Sequence, residues 1–142
     1  MTNPDELVDA VRDKLKAIPA VVEMVGSADR ISSFYESGLT DAVNVMKEST
    51  ILVAWLQDGS DPGGFNRYCP IVAIFLRIQG SIGLAFTTIL NGIATGDALA
   101  FTETEFHPSF EVLGGAERLP REQDSDGAEF PNIRMPFRER AA

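Results

Sequence analysis

Residues 69–79 read CPIVAIFLRIQ, an apolar run with one charge near its end. The run is short, bounded by turn residues, and rich in strand formers, so it reads as a buried strand rather than a helix. Along a strand successive side chains alternate in direction. Val72, Ile74, Leu76 and Ile78 therefore point one way, and Ile71, Ala73, Phe75 and Arg77 the other. Both faces are largely apolar. One helix layer covers only one of them, so the second must meet another layer or another subunit.

Upstream, ILVAWLQ at 51–57 is a second buried strand of the same character. LQDGSDPGGFN (56–66) separates the two runs, and its Asp-Gly and Pro-Gly pairs are turn formers. A phosphate-binding loop needs Gly-Lys-Ser/Thr and then a helix, whereas Phe65-Asn66-Arg67-Tyr68 leads here into a strand. Asp58 and Asp61 are out of step with the alternating ligands of a calcium loop. The stretch is a connector whose tip carries Phe65 and Tyr68.

Further out, Asn3-Pro4-Asp5-Glu6 has the marks of a helix start, and Leu7, Val8, Val11, Leu15 and Ile18 follow at helical spacing. Pro19 ends this helix or starts a second short one through Val21, Val22 and Val25, closed by Gly26. A brief strand is expected at 30–35. An amphipathic helix at 39–48 carries Leu39, Ala42, Val43 and Met46, with Ser37 or Thr40 as its cap. Ser81 caps a further helix bearing Ile82, Phe86, Ile89, Leu90 and Ile93, ended by Gly96. Strands are expected near 98–106 and 109–113, and 97–131 as a whole reads as an extended hairpin or arm. In the last strand Ile133, Met135 and Phe137 alternate with Asn132, Arg134 and Arg138. Pro136 cannot donate to a ladder, which places that strand at an edge or ends its pairing there. The expected fold is a single α+β domain over 1–142, a mostly antiparallel sheet with amphipathic helices packed on one face and a loop-rich C-terminal hairpin or arm.

Composition excludes several function classes. The 142 residues carry a formal charge of −9, so no basic patch supplies phosphate affinity. No run approaches the ~18 apolar residues of a membrane span. The acidic N-terminus does not read as a secretory signal, and the single cysteine forms no internal disulfide, which suits a cytosolic setting. His107, the only histidine, leaves no His pair for a metal. A Cys69–His107 dyad competes with an inert buried thiol, the better reading at the mouth of an apolar strand. Gly80-Ser81-Ile82-Gly83 misses the nucleophile-elbow frame by one residue. Glu122, Asp124, Asp126 and Gly127 imitate a calcium loop, but the closing position falls on Ile133, so a turn is the better reading. No catalytic residue, metal or cofactor is expected.

The element order, with LKAIPAVVEMVGSADRI (15–31), ILVAWLQDG (51–59) and GGAERLPREQDSDGAEFPNIRMPFRE (114–139), resembles the tail terminator or tail-completion proteins of long-tailed bacteriophages. The resemblance spans most of the chain, although residues 97–120 are longer and more aromatic than that pattern. It implies a non-enzymatic virion protein of the tail and neck, assembled in the host cytoplasm. Such a protein forms a ring of six that caps the tail tube and joins it to the head connector or stopper. Its partners would be itself, the tail tube protein and the connector; DNA would pass through without specific binding, and no membrane is involved. An acidic ring repels DNA and lets it slide. Asp58 and Asp61 would then line the channel, or Phe65 would dock on the partner ring. Phe65, Tyr68, Phe101, Phe106, Phe110 and Arg134 are the expected interface residues, since aromatics and arginines anchor interfaces. Two other classes stay open: another head–tail connector or ring-forming adaptor, and a small carboxylate-dependent α+β enzyme.

Overall fold

The structure is a computed structural model that describes residues 3–64, 66–94, 107–113, 117–119 and 131–140. It is an α+β fold. Helix α1 (Pro4–Lys16) is capped by the Asn3 side chain, which accepts from the Asp5 N–H at 3.0 Å. Leu7, Val8, Val11 and Leu15 on its inner face are fully buried. Helix α2 (Pro19–Val25) starts at a proline and ends at Gly26, whose φ of 91° is the left-handed cap that a side chain disfavours.

One turn of 3-10 helix (Ala28–Arg30) leads into β1 (Ile31–Phe34), and α3 (Leu39–Asn44) crosses to β2 (Thr50–Asp58). β3 (Pro70–Arg77), α4 (Ile82–Ala94), β4 (Phe110–Val112), β5 (Glu117–Leu119) and β6 (Asn132–Glu139) follow. The sheet order is β1-β2-β3-β6-β4, with β5 also on β6. Only β1 and β2 are parallel; the other pairs are antiparallel. The strand at 69–79 is therefore central, as its two apolar faces require.

Its two faces have different covers. Val72, Ile74 and Leu76, with Ile51, Val53, Ile133, Met135 and Phe137, pack under α1, α2 and α4. Ala73 and Phe75 join Ala54, Val43 and Met46 under α3. The helices are thus not all on one face. A parallel β1–β2 pair needs a crossover, and α3 within it serves as the second layer. This helix is shorter than the periodicity of 39–48 suggests, and its N-cap is Gly38 at φ 83° rather than Ser37 or Thr40.

The last strand is not an edge. β6 pairs with β3 on one side and with β4 and β5 on the other. The β3 ladder runs as far as Ile71↔Pro136, but Pro136 does not end the pairing of β6, which continues with β4 through Glu139. The Pro136 carbonyl accepts from the Leu113 N–H at 3.0 Å, so the missing N–H of the proline faces the same side. That side is the break between Val112↔Phe137 and Glu117↔Arg134, where the register steps by two residues. A proline is tolerated inside the sheet because the neighbouring ladder is interrupted beside it. Two described pieces of the expected arm, 110–112 and 117–119, are therefore strands of the sheet. The expected strand at 98–106, the helix end at Gly96 and the acidic turn at 122–127 lie outside the described residues.

Candidate interface surfaces

The glycine-rich loop joins neighbouring antiparallel strands, β2 and β3, and the Gly59 N–H donates to the Cys69 carbonyl at 2.7 Å across its base. It is a connector, and its aspartates hold it together. Asp58 accepts from Trp55 Nε1 at 3.1 Å. The Asp61 side chain is 2% exposed and accepts from the Gly63 N–H at 2.8 Å, the Arg67 N–H at 3.3 Å and Arg138 Nη1 at 3.3 Å. Above all the Gly63 N–H, then the Arg67 N–H and Arg138, hold the Asp61 carboxyl below its ordinary range against the opposing effect of burial. The Asp61 carboxyl is thus turned into the loop and towards Arg138.

Arg138 continues the network. Its Nη2 lies 2.6 Å from Glu111 Oε1 on β4, and Arg67 Nη1 reaches the same oxygen at 3.9 Å. The loop, β4 and β6 are thereby tied at one end of the sheet. The Tyr68 carbonyl accepts from the Glu139 N–H at 2.8 Å in the same region. Nothing in the sequence spacing announces this cluster, because its members meet only through the pairing of β4 with β6.

Of the expected interface residues, Phe65, Phe101 and Phe106 lie outside the described residues. Phe110 is a core residue, 1% exposed, with its ring edge-on to Tyr68 and to His107. A side chain so covered has little area left for a partner. Tyr68 packs against the core, and burial first, then the charge of Asp58, pushes its hydroxyl up to about 12. Arg134 lies on β6 and its Nε donates to Asn132 Oδ1 at 3.3 Å.

The structure does not join Cys69 to His107. Cys69 is 3% exposed, its Sγ donates to the Arg67 carbonyl at 3.4 Å, and burial raises its pKa. His107 Nδ1 accepts from the Ser109 N–H at 3.1 Å, and Nε2 lies 3.6 Å from Glu6 Oε2. Ser81 caps α4, its Oγ accepting from the Leu84 N–H at 3.2 Å. Among the described residues no group of three or more His, Cys, Asp or Glu could hold a metal, and no helix is long and apolar enough to cross a membrane.

Two surfaces remain that the sequence does not single out. A shallow groove of about 50 Å³ runs between α3 and the sheet, lined by Leu39, Thr40, Val43, Asn44, Leu56 and Phe75, with Val45 exposed at the end of α3. At the β1 edge, Ser33 Oγ donates to Asp9 Oδ1 at 2.9 Å and Tyr35 Oη donates to the same oxygen. Arg12 Nη1 reaches Ser33 Oγ at 3.2 Å and Asp9 at 3.1 Å. Comparison with known protein families, with curated proteins and with solved structures finds no match for the chain.

Proposed function

We propose that this chain is a self-assembling structural subunit, of the kind that closes a phage tail tube and joins it to the head. The carrying observation is the α3 face of the sheet, where a six-residue helix leaves an apolar groove open beside an exposed Val45. Apolar surface left at the mouth of a core is the usual material of an interface. The resemblance of 15–31, 51–59 and 114–139 to tail terminators supplies the particular setting, a ring of six between tube and connector. Localisation in a virion belongs to the same reading.

The test is the purified chain in solution, imaged by electron microscopy and weighed by sedimentation. A closed ring is the expected outcome, and Val45→Asp beside the groove should reduce it to smaller species with the helical signal unchanged. A chain that stays single at every concentration removes the reading. A chain that hydrolyses or transfers a substrate group and loses that activity on replacing a groove-lining residue supports the enzyme class instead.

A further inference from the structure

Among the described residues the sheet has two open edges, and they differ in how they are protected. Beyond β6, the edge is made of β4 and β5, broken by a two-residue register step and bearing the ion-paired Glu111. Breaks and charges of this kind discourage strand addition. β1, at the other end, reads Ile-Ser-Ser-Phe, with no charge, proline or bulge, and Ser32 is exposed. Among the described residues, β1 pairs only with β2.

Helix α1 runs beside this edge and touches both β1 and β2. Asp9 and Arg12 bond Ser33 and Tyr35, which places their stripe of α1 on the β1 side. Asp5 and Lys16 fall on the same stripe at helical spacing. The stripe therefore reads acid, acid, base, base from one end to the other. Turned end for end it complements itself: Asp5 meets Lys16 and Asp9 meets Arg12.

We propose that two copies of this chain join edge to edge through β1, forming one continuous sheet across a two-fold axis with their α1 helices antiparallel beside it. Such an axis, perpendicular to the sheet, keeps the helix layers on the same side and makes the strand contact antiparallel. Strands are about 4.8 Å apart, so helices seated over the outer strands as α1 is would lie roughly 10–14 Å from one another, within reach of long facing side chains. The contact is closed and isologous. It is separate from a ring contact, which needs two unlike surfaces.

The experiment weighs the full chain by sedimentation equilibrium across a concentration series. A species of twice 15.4 kDa is expected. Ser32→Lys puts like charges into the seam and should weaken the pair by roughly tenfold or more, with the circular dichroism unchanged. Lys16→Glu and Asp5→Lys should each weaken it several-fold, and an equimolar mixture of the two variants should restore it as a mixed pair. Backbone amides of 32–34 should exchange more slowly as concentration rises. A ring that Ser32→Lys leaves intact, with no two-fold species, overturns this inference and keeps the ring. A two-fold species abolished by Ser32→Lys, with no larger closed ring, does the reverse. A chain that never pairs overturns the inference outright.

Discussion

On one face of the sheet, Ile51, Val53, Val72, Ile74, Leu76, Ile133 and Met135 lie beneath α1, α2 and α4. On the other, Ala54, Ala73 and Phe75 lie beneath α3 alone, and the β6 end of that face carries Arg134 and Arg138 instead of apolar side chains. The first face is the more fully covered, although Trp55 and Leu84 stand exposed at its margins. The second is half finished, with a groove at one side and an ion network at the other. The two faces differ in how fully the chain covers them, so adjacent residues of β3 should respond differently to the same substitution.

The largest expected effect is on the first face. Ile74→Ala should cost about 3–4 kcal/mol, within the usual range for a fully buried aliphatic that leaves a cavity. Phe75→Ala, one residue on, should fall at the low end of the range for a buried aromatic, about 3 kcal/mol, because Phe75 already borders open space. Urea unfolding of the two variants measures the difference, and a costlier Phe75→Ala breaks the comparison.

Next in size is Gly92 on α4. A Cβ there would stand 2.8 Å from Ile18 Cδ1 and 2.9 Å from Ile18 Cγ2. Gly92→Ala gains about 1 kcal/mol of helix propensity but meets this overpacking, typically 1–3 kcal/mol. The net should be mildly destabilising, and Ile18→Ala in the same chain, which removes all the crowding atoms, should relieve the clash; thermal unfolding of the single and double variants decides. A stabilising Gly92→Ala would show the first face to be looser than described.

On the unfinished face the ion network should give a pH signature. Asp61 has a lowered folded pKa, so its stabilisation is present above the ordinary value of 3.8 and disappears as pH falls through the folded value. The stability gap between the native chain and Asp61→Asn should be constant at neutral pH and close in acid. Tyr68, which packs against the core of the other face, has the opposite sense. Its hydroxyl, pushed up to about 12 from 10.0, favours the folded chain at neutral pH and loses that effect as pH rises from 10.0 towards 12. Tyr68→Phe should flatten this alkaline limb in unfolding measured against pH. The smallest effect is at Val45, 77% exposed, where Val45→Ser should change monomer stability by no more than about 0.5 kcal/mol. If the α3 face is an interface, the same change should nonetheless weaken assembly.

Elements with their own signal were legible without the structure. The Asn3-Pro4 start, the stop at Gly26, the Ser81 cap and the alternation of β6 are written in residues near one another in the chain. Spacing also placed Leu7, Val11, Ile89 and Met135 in the core, where they lie. Three readings depended on distant residues and came out otherwise. α3 sits on the opposite face from the other helices, β6 is interior, and Phe110 is core. In each case the deciding contact is between segments far apart in sequence, such as Leu113 with Pro136 or Phe110 with Tyr68.

The sequence by itself determined the class of fold, the periodic faces and the turn chemistry of the loop at 56–66, because dihedral preference, capping and alternation act over a few residues. Only the tertiary structure decided strand order, which side α3 covers, and that Asp61 faces Arg138 across seventy-odd positions rather than solvent. Burial and charge pairing depend on what the folded chain brings together, and a linear pattern carries no record of that distance.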